Sequence, residues 1–176
     1  MFKIKTMDAI GISVPLTTPV TMSGIVIPSA DNLVVRIEDT DGVEGWGESA
    51  SGPTMTGETL EGSVAVTKFM ADRLVGLEIN EVSEIPDQIK ELVYGNEGAK
   101  SAIQCALLDI AGRKLGKPMY ELLGQKRREK VAVLNLLSAN ENDDEKGAAL
   151  ATADLGYVAF KVKVGVKGVD RDIERS

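Results

Sequence analysis

The sequence predicts an α+β domain, a three-stranded antiparallel meander followed by helices, and after it the opening units of an α/β domain. Three observations carry this. Apolar and polar side chains alternate over much of residues 2–48, on either side of an Asp-Gly turn. Apolar residues recur at helical spacing over residues 56–124, between Gly and Pro stops. Beyond residue 128 a nearly continuous apolar run opens a strand–helix–strand–helix order, the pattern of parallel strands buried on both faces.

Phe2, Ile4, Ile10, Ile12 and Val14 mark the first strand. Pro15, Pro19, Gly24 and Pro28 predict a loop over residues 15–30. Leu33, Val34, Val35 and Ile37 form the second strand, Asp39-Thr40-Asp41-Gly42 the turn, and Val43–Glu48 the return strand. A second loop, Ser49–Thr56, leads to a helix capped by Thr56 or Thr59, carrying Val64, Phe69 and Leu74 and stopping at Gly76. Another helix is expected from Glu81 to Tyr94, before Gly95. A third spans 97–115, where Ala102, Ile103, Ala106, Leu107, Ile110 and Ala111 make one apolar stripe and Gly116 and Pro118 end it. A short turn from Pro118 to Leu123 stops at Gly124. Then come a strand over Val131–Leu137, a helix opening at Asn142 and ending at Gly156, a strand over Tyr157–Val164, and a helix from Val169. The domain boundary is placed near 128, giving units 1–128 and 129–176.

A net charge of −7 argues against a nucleic-acid partner, which would need clustered Lys and Arg. The run Lys126-Arg127-Arg128 is followed at once by Glu129 and reads as a solvated linker. There is no histidine, so a Ser-His-Asp, Cys-His or His-based zinc site is excluded within these residues. The single cysteine, Cys105, allows no intrachain disulfide and sits in an apolar helix as a small hydrophobe. With no signal-peptide pattern and no long apolar run, the expectation is a cytoplasmic protein without a membrane partner. Neither Gly42-xx-Gly45-x-Gly47 nor Gly112-xxx-Gly116-Lys117 has the spacing of a nucleotide loop; both read as structural.

The strand Tyr157–Gly165 carries the sharpest chemical signal. Val158, Phe160, Val162 and Val164 share one face, and Ala159, Lys161 and Lys163 the other. In an antiparallel sheet this would be a half-buried strand with solvated lysines. In a parallel βα barrel the lysine face points into the barrel, and the strand's C-terminal end reaches the mouth where such active sites lie. Same-face neighbours about 6.8 Å apart repel by roughly 2.4 kcal/mol at an effective dielectric of about 20. That brings a lysine down from about 10.4 toward the range of about 7–8 useful to a general base.

The stretch Ala102–Gly124 holds Ala-Leu-Leu-Asp-x-x-Gly-x-x-x-Gly-x-Pro-x-x-x-Leu-Leu-Gly, by itself a core helix and a stop. It follows Gly42-Val43-Glu44-Gly45-Trp46-Gly47-Glu48 and precedes Lys161-Val162-Lys163-Val164-Gly165. These three motifs in this order resemble the mandelate racemase/muconate lactonizing branch of the enolase superfamily, over the whole chain. The resemblance implies an α+β capping domain over a modified (β/α)-barrel, with Mg²⁺ stabilising the enediolate left when the proton α to a carboxylate is removed. It assigns Lys163 as the base, and Lys161 as its neighbour that binds the carboxylate and tunes it. The 15–30 and 49–56 loops become the capping loops, with Thr18, Ser23, Ile25, Thr54 and Met55 as substrate contacts. Glu48 ends a cap strand and is read as structural.

A full barrel takes about 250 residues, and far fewer follow residue 128. The family's acidic metal ligands lie on later strands, so no metal ligand is assigned here. The expectation is therefore the N-terminal part of an enzyme, inactive by itself, whose complete form acts on a small carboxylate and assembles as a homo-oligomer. Cycloisomerase, epimerase or racemase, and dehydratase chemistry stay open, with the 49–58 loop leaning toward the muconate side. The alternative is a non-catalytic interaction module, a cap with a vestigial barrel tail.

Overall fold

The structure, a computed structural model, describes residues 1–22, 25–137, 145–162, 164–165 and 168–175. Two compact units, Met1–Gln125 and Lys126–Ser176, divide the chain.

The first unit is built on an antiparallel sheet of four strands: β1 (Phe2–Met22), β2 (Ile25–Asp39), β3 (Glu44–Ala50) and β4 (Glu78–Ile79), in the order β3-β2-β1-β4. The expected meander is there, extended by β4, which pairs with β1 only at Phe2 and Lys3. One expectation is corrected. Apart from Ser23 and Gly24, which lie outside the described residues, the 15–30 segment is not a loop. It continues β1 and β2 as a two-stranded ribbon, from Val14↔Ala30 to Met22↔Ile25. Proline is excluded from sheet interiors because it has no N–H to donate, but here each strand has a free side. β3 joins β2 only from Asn32 onward, so Pro15, Pro19 and Pro28 lie where a missing donor breaks no second ladder. Their mark is in the register, which shifts between Pro15↔Ser29 and Val20↔Ile27, leaving Leu16–Pro19 against Pro28.

The inner face of the sheet carries Ile4, Leu33, Val35 and Ile37, all buried. Helices α1 (Leu60–Leu74) and α3 (Glu97–Leu115) pack in this core. Thr59, not Thr56, caps α1, its hydroxyl accepting from the Gly62 N–H at 3.2 Å. The helix expected over 81–94 is shorter. A 3₁₀ turn at Val82–Glu84 leads into α2 (Ile85–Lys90), of which Ile85 and Ile89 enter the core. Beyond Lys90 the Leu92 N–H bonds back to the Ile89 carbonyl and the chain turns away. α3 has the predicted limits and buries Ala102, Ile103, Ala106, Leu107 and Ile110. Gly116, at φ 66°, ends it in the left-handed region that favours glycine. Helix α4 (Met119–Leu123) follows.

The second unit has a parallel pair, β5 (Asn135–Leu137) and β6 (Phe160–Val162), with helices α5 (Glu145–Ala153) and α6 (Val169–Arg175). Both strands are shorter than predicted. A strand persists only where a neighbour accepts and donates, and Val131 and Val133 find none among the described residues; both are exposed.

Candidate active site and capping surface

Lys161 sits at the centre of β6, opposite Leu136 in the parallel ladder. It is exposed, whereas Phe160 and Val162 on either side are half-buried, the alternation that a strand period of two requires. Lys163 lies outside the described residues, and so does Ser23.

The other predicted contacts belong to the first unit. Thr18 is exposed within the irregular Leu16–Pro19 stretch of β1, and Ile25 opens β2 at the far end of the ribbon. Thr54 is half-buried and Met55 is 71% exposed in the loop after β3. The ribbon and this loop leave the sheet side by side. Asn32 pairs with Ala50, and the Ser51 N–H donates to the Asp31 carbonyl at 2.7 Å. Asp31 also closes the ribbon's base, its carboxylate accepting from the Ser13 and Ser29 hydroxyls at 2.6 and 2.9 Å. Those two hydroxyls hold the Asp31 carboxyl below the usual range.

The loop is bonded internally as well. The Met55 and Thr56 N–H groups both donate to the Gly52 carbonyl, at 2.9 and 2.7 Å, and the Gly52 N–H donates to the Glu58 carbonyl at 3.2 Å. Glu58 in turn reaches α3, its Oε1 accepting from the Gly98 N–H at 3.2 Å. Sequence reasoning missed Asp31 and Glu58, because Glu58 meets Gly98 and Asp31 meets Ser13 and Ser51 across long separations along the chain, even though Ser29 is near. Glu48, exposed on the sheet's outer face, accepts from the Asn32 amide, as a structural side chain would. A groove of about 810 Å³ opens elsewhere in this unit, between Phe2, Ile79, Val82, Leu108 and Leu122, and contains none of the predicted contacts.

Other acidic side chains on and beside the sheet are engaged by cations. Arg36 bonds Asp8, Glu38 and Glu44 on the outer face, and its guanidinium holds the Glu44 carboxyl below its ordinary range. Lys114 bonds Asp39 and Asp41 at 2.7 and 2.5 Å. Among the described residues no three His, Cys, Asp or Glu side chains are grouped to hold a metal ion. The donor set of this chain's described residues thus does not fit a magnesium site.

Residues 6–124 match the family described as mandelate racemase / muconate lactonizing enzyme, N-terminal domain. The chain is 30% identical to the N-succinyl-L-Arg/Lys racemase of Bacillus cereus over 174 residues, 98% of this chain and 47% of that one. The solved structure of that racemase superposes with a TM-score of 0.89 at the same coverage. A Cytophaga hutchinsonii dipeptide epimerase, solved with Mg and the dipeptide D-Ala-L-Val, is 29% identical with a TM-score of 0.86, covering 99% of this chain and 47% of that one. Muconate lactonizing enzyme from Pseudomonas fluorescens, in complex with muconolactone, is 28% identical with a TM-score of 0.89, covering 99% and 48%. The chain thus spans about half the length of the relatives it matches. It belongs to the mandelate racemase/muconate lactonizing enzyme family of the enolase superfamily, and residues 6–124 are that family's N-terminal domain.

Proposed function

We propose that this chain is the N-terminal part of an isomerase that removes the proton α to a carboxylate, with Lys163 as the base and Lys161 beside it. Residues 1–128 form the capping domain in this reading, and 129–176 the first βα units of a (β/α)-barrel. The observation that carries it is Lys161, exposed on a parallel strand whose flanking residues are half-buried, in a chain of this family. Lys163, two residues on in the Lys-x-Lys motif, takes the role of base from the resemblance of that motif to the family's. Neutral Lys163 takes the α-proton; the electron pair left behind moves into the carboxylate, and the Lys161 ammonium opposes the charge that builds there.

In this reading the 15–30 and 49–56 segments supply substrate contacts through Thr18, Ser23, Ile25, Thr54 and Met55. Relatives named as racemases, dipeptide epimerases and cycloisomerases support a small carboxylate substrate of the N-acylamino-acid, dipeptide or muconate class. The magnesium in related structures supports a magnesium-dependent enzyme whose ligands lie outside the described residues, and no step above passes through it. The complete enzyme is a cytoplasmic homo-oligomer in this reading.

The test is proton exchange in D₂O, followed by NMR, with the complete protein and a panel of N-succinyl amino acids, dipeptides and muconolactone. One class should lose its α-proton signal. Lys163→Ala should abolish the exchange, and Lys161→Ala should slow it by about 10²-fold or more. No exchange with any class, or exchange surviving Lys163→Ala, would overturn the proposal.

A further inference from the structure

We infer that Glu58 is a positioning residue, a latch that fixes the 52–58 loop, and Met55 with it, to the N-terminus of α3. The starting point is a missing cap. The first turn of a helix leaves N–H groups without intrahelical partners, and a side-chain oxygen at the N-cap normally accepts from one of them. At α3 the N-cap residue Asn96 does not do this. Its backbone is left-handed at φ 58°, and its amide instead donates to the Tyr94 carbonyl at 2.9 Å. The acceptor arrives from 40 residues earlier, as the Glu58 carboxylate on the Gly98 N–H. A negative group there also meets the positive end of a 19-residue helix.

Gly98 is shaped for this contact. A Cβ at that position would lie 2.8 Å from Glu58 Oε2 and 2.6 Å from Ser49 Oγ, so a side chain there crowds the carboxylate and the Ser49 hydroxyl, and one or both must shift. Glu58 is also the residue whose carbonyl closes the loop on Gly52. One residue thus shuts the loop at its base and bolts that base to the core helix, so the loop is a fixed wall. That the wall faces substrate rests on the function proposed above; that Glu58 holds it does not.

Amide hydrogen exchange on the intact chain tests the latch. Glu58→Ala should speed exchange at Met55 and Thr56 by about tenfold or more, the loss of one hydrogen bond to a charged acceptor. The α3 core amides of Ala106 and Leu107 should keep their protection. Glu58→Gln keeps a carbonyl acceptor and should restore most of the loop's protection. Gly98→Ala is the sharper variant: alanine favours helix, so α3 itself gains, yet the loop should loosen as in Glu58→Ala. Unchanged exchange at Met55 and Thr56 in both Glu58→Ala and Gly98→Ala would overturn the latch, as would equal loosening of the α3 core. In the complete enzyme, Glu58→Ala should raise KM more than it lowers kcat, with Glu58→Gln recovering KM. A loosened loop with unaltered KM would overturn the substrate-facing assignment and leave the latch standing.

Discussion

A carboxylate removed from water is unstable unless donors and an opposite charge meet it. Asp39 has no exposed side-chain surface, and it has both. Its Oδ1 accepts from the Asp41 and Val43 N–H groups at 2.9 and 2.8 Å, closing the β2–β3 turn, while Oδ2 takes the Lys114 ammonium from α3. Burial alone would push its pKa up, but the Lys114 ammonium and the two N–H donors outweigh it and hold the group below its usual 3.8. A depressed carboxyl contributes stability that is complete above the unfolded value and lost as pH falls through the folded one. The chain should therefore lose stability on acidification below about pH 4, and Asp39→Asn should flatten that limb in urea titrations repeated across the range. Lys114 is shifted the other way, raised by Asp39 and Asp41, so its contribution is present below its unfolded value and lost only as strongly alkaline pH passes the folded one. At neutral pH, Lys114→Met should cost about 3 kcal/mol, because it strands a buried charge. A cost below about 1 kcal/mol would mean that the two backbone donors suffice.

Among the elements, α3 and β3 show why a Gly-x-Gly pair stands in a strand. A Cβ on Gly47 would lie 1.9 Å from the Ala102 carbonyl oxygen, and one on Gly45 would lie 2.1 Å from that of Ala106. The helix backbone lies directly on the strand, with alanines on its side and glycines on the other. Asp109 completes the contact by accepting the Trp46 N–H at 3.0 Å, a donor on the outer side of an edge strand. Gly47→Ala should accordingly destabilise by at least about 2 kcal/mol through overpacking. Gly57→Ala, with no atom near its Cβ, should instead show only the strain of its positive φ of 79°. Equal unfolding midpoints for the two would refute close packing as the cause. The limits of α3 were legible because stripe, glycine stop and proline all lie within the helix or next to it. The glycines were legible only as structural, since their reason is a helix more than fifty residues away. The ribbon was illegible for a related cause: proline forbids a paired N–H, but the sequence does not say which strand side has a neighbour. The Glu58 contact likewise joins two segments with no shared local pattern. The candidate site divides the same way, the strand face of Lys161 following from alternation and the binding of the loop from tertiary contacts alone.

The whole molecule is unevenly stabilised. Among the described residues the continuous core lies in the first unit, from Phe2 and Ile4 to Ile110 and Ala111. Beyond Gln125, Leu137 is the one buried apolar side chain among the described residues, while Val131 and Val158 are 70% and 79% exposed. A single parallel pair buries little, and among the described residues no third strand pairs with it, so the hydrophobic stabilisation of about 25 cal/mol per Å² has little area to act on. The units should then differ in kind: Met1–Gln125 a cooperative domain, and Lys126–Ser176 a segment that opens without unfolding it. Cutting the chain after Gln125 is the direct measurement. The shortened chain should keep its unfolding free energy in urea titrations to within about 0.5 kcal/mol, with a lower m-value only if the second unit had unfolded in the same step. In the intact chain, the amides of β5 and β6 should exchange far faster than those of α3, since local opening costs less than global unfolding. A drop of more than about 2 kcal/mol on truncation, or equal protection of β6 and α3, would mean that the second unit shares the first one's cooperative core.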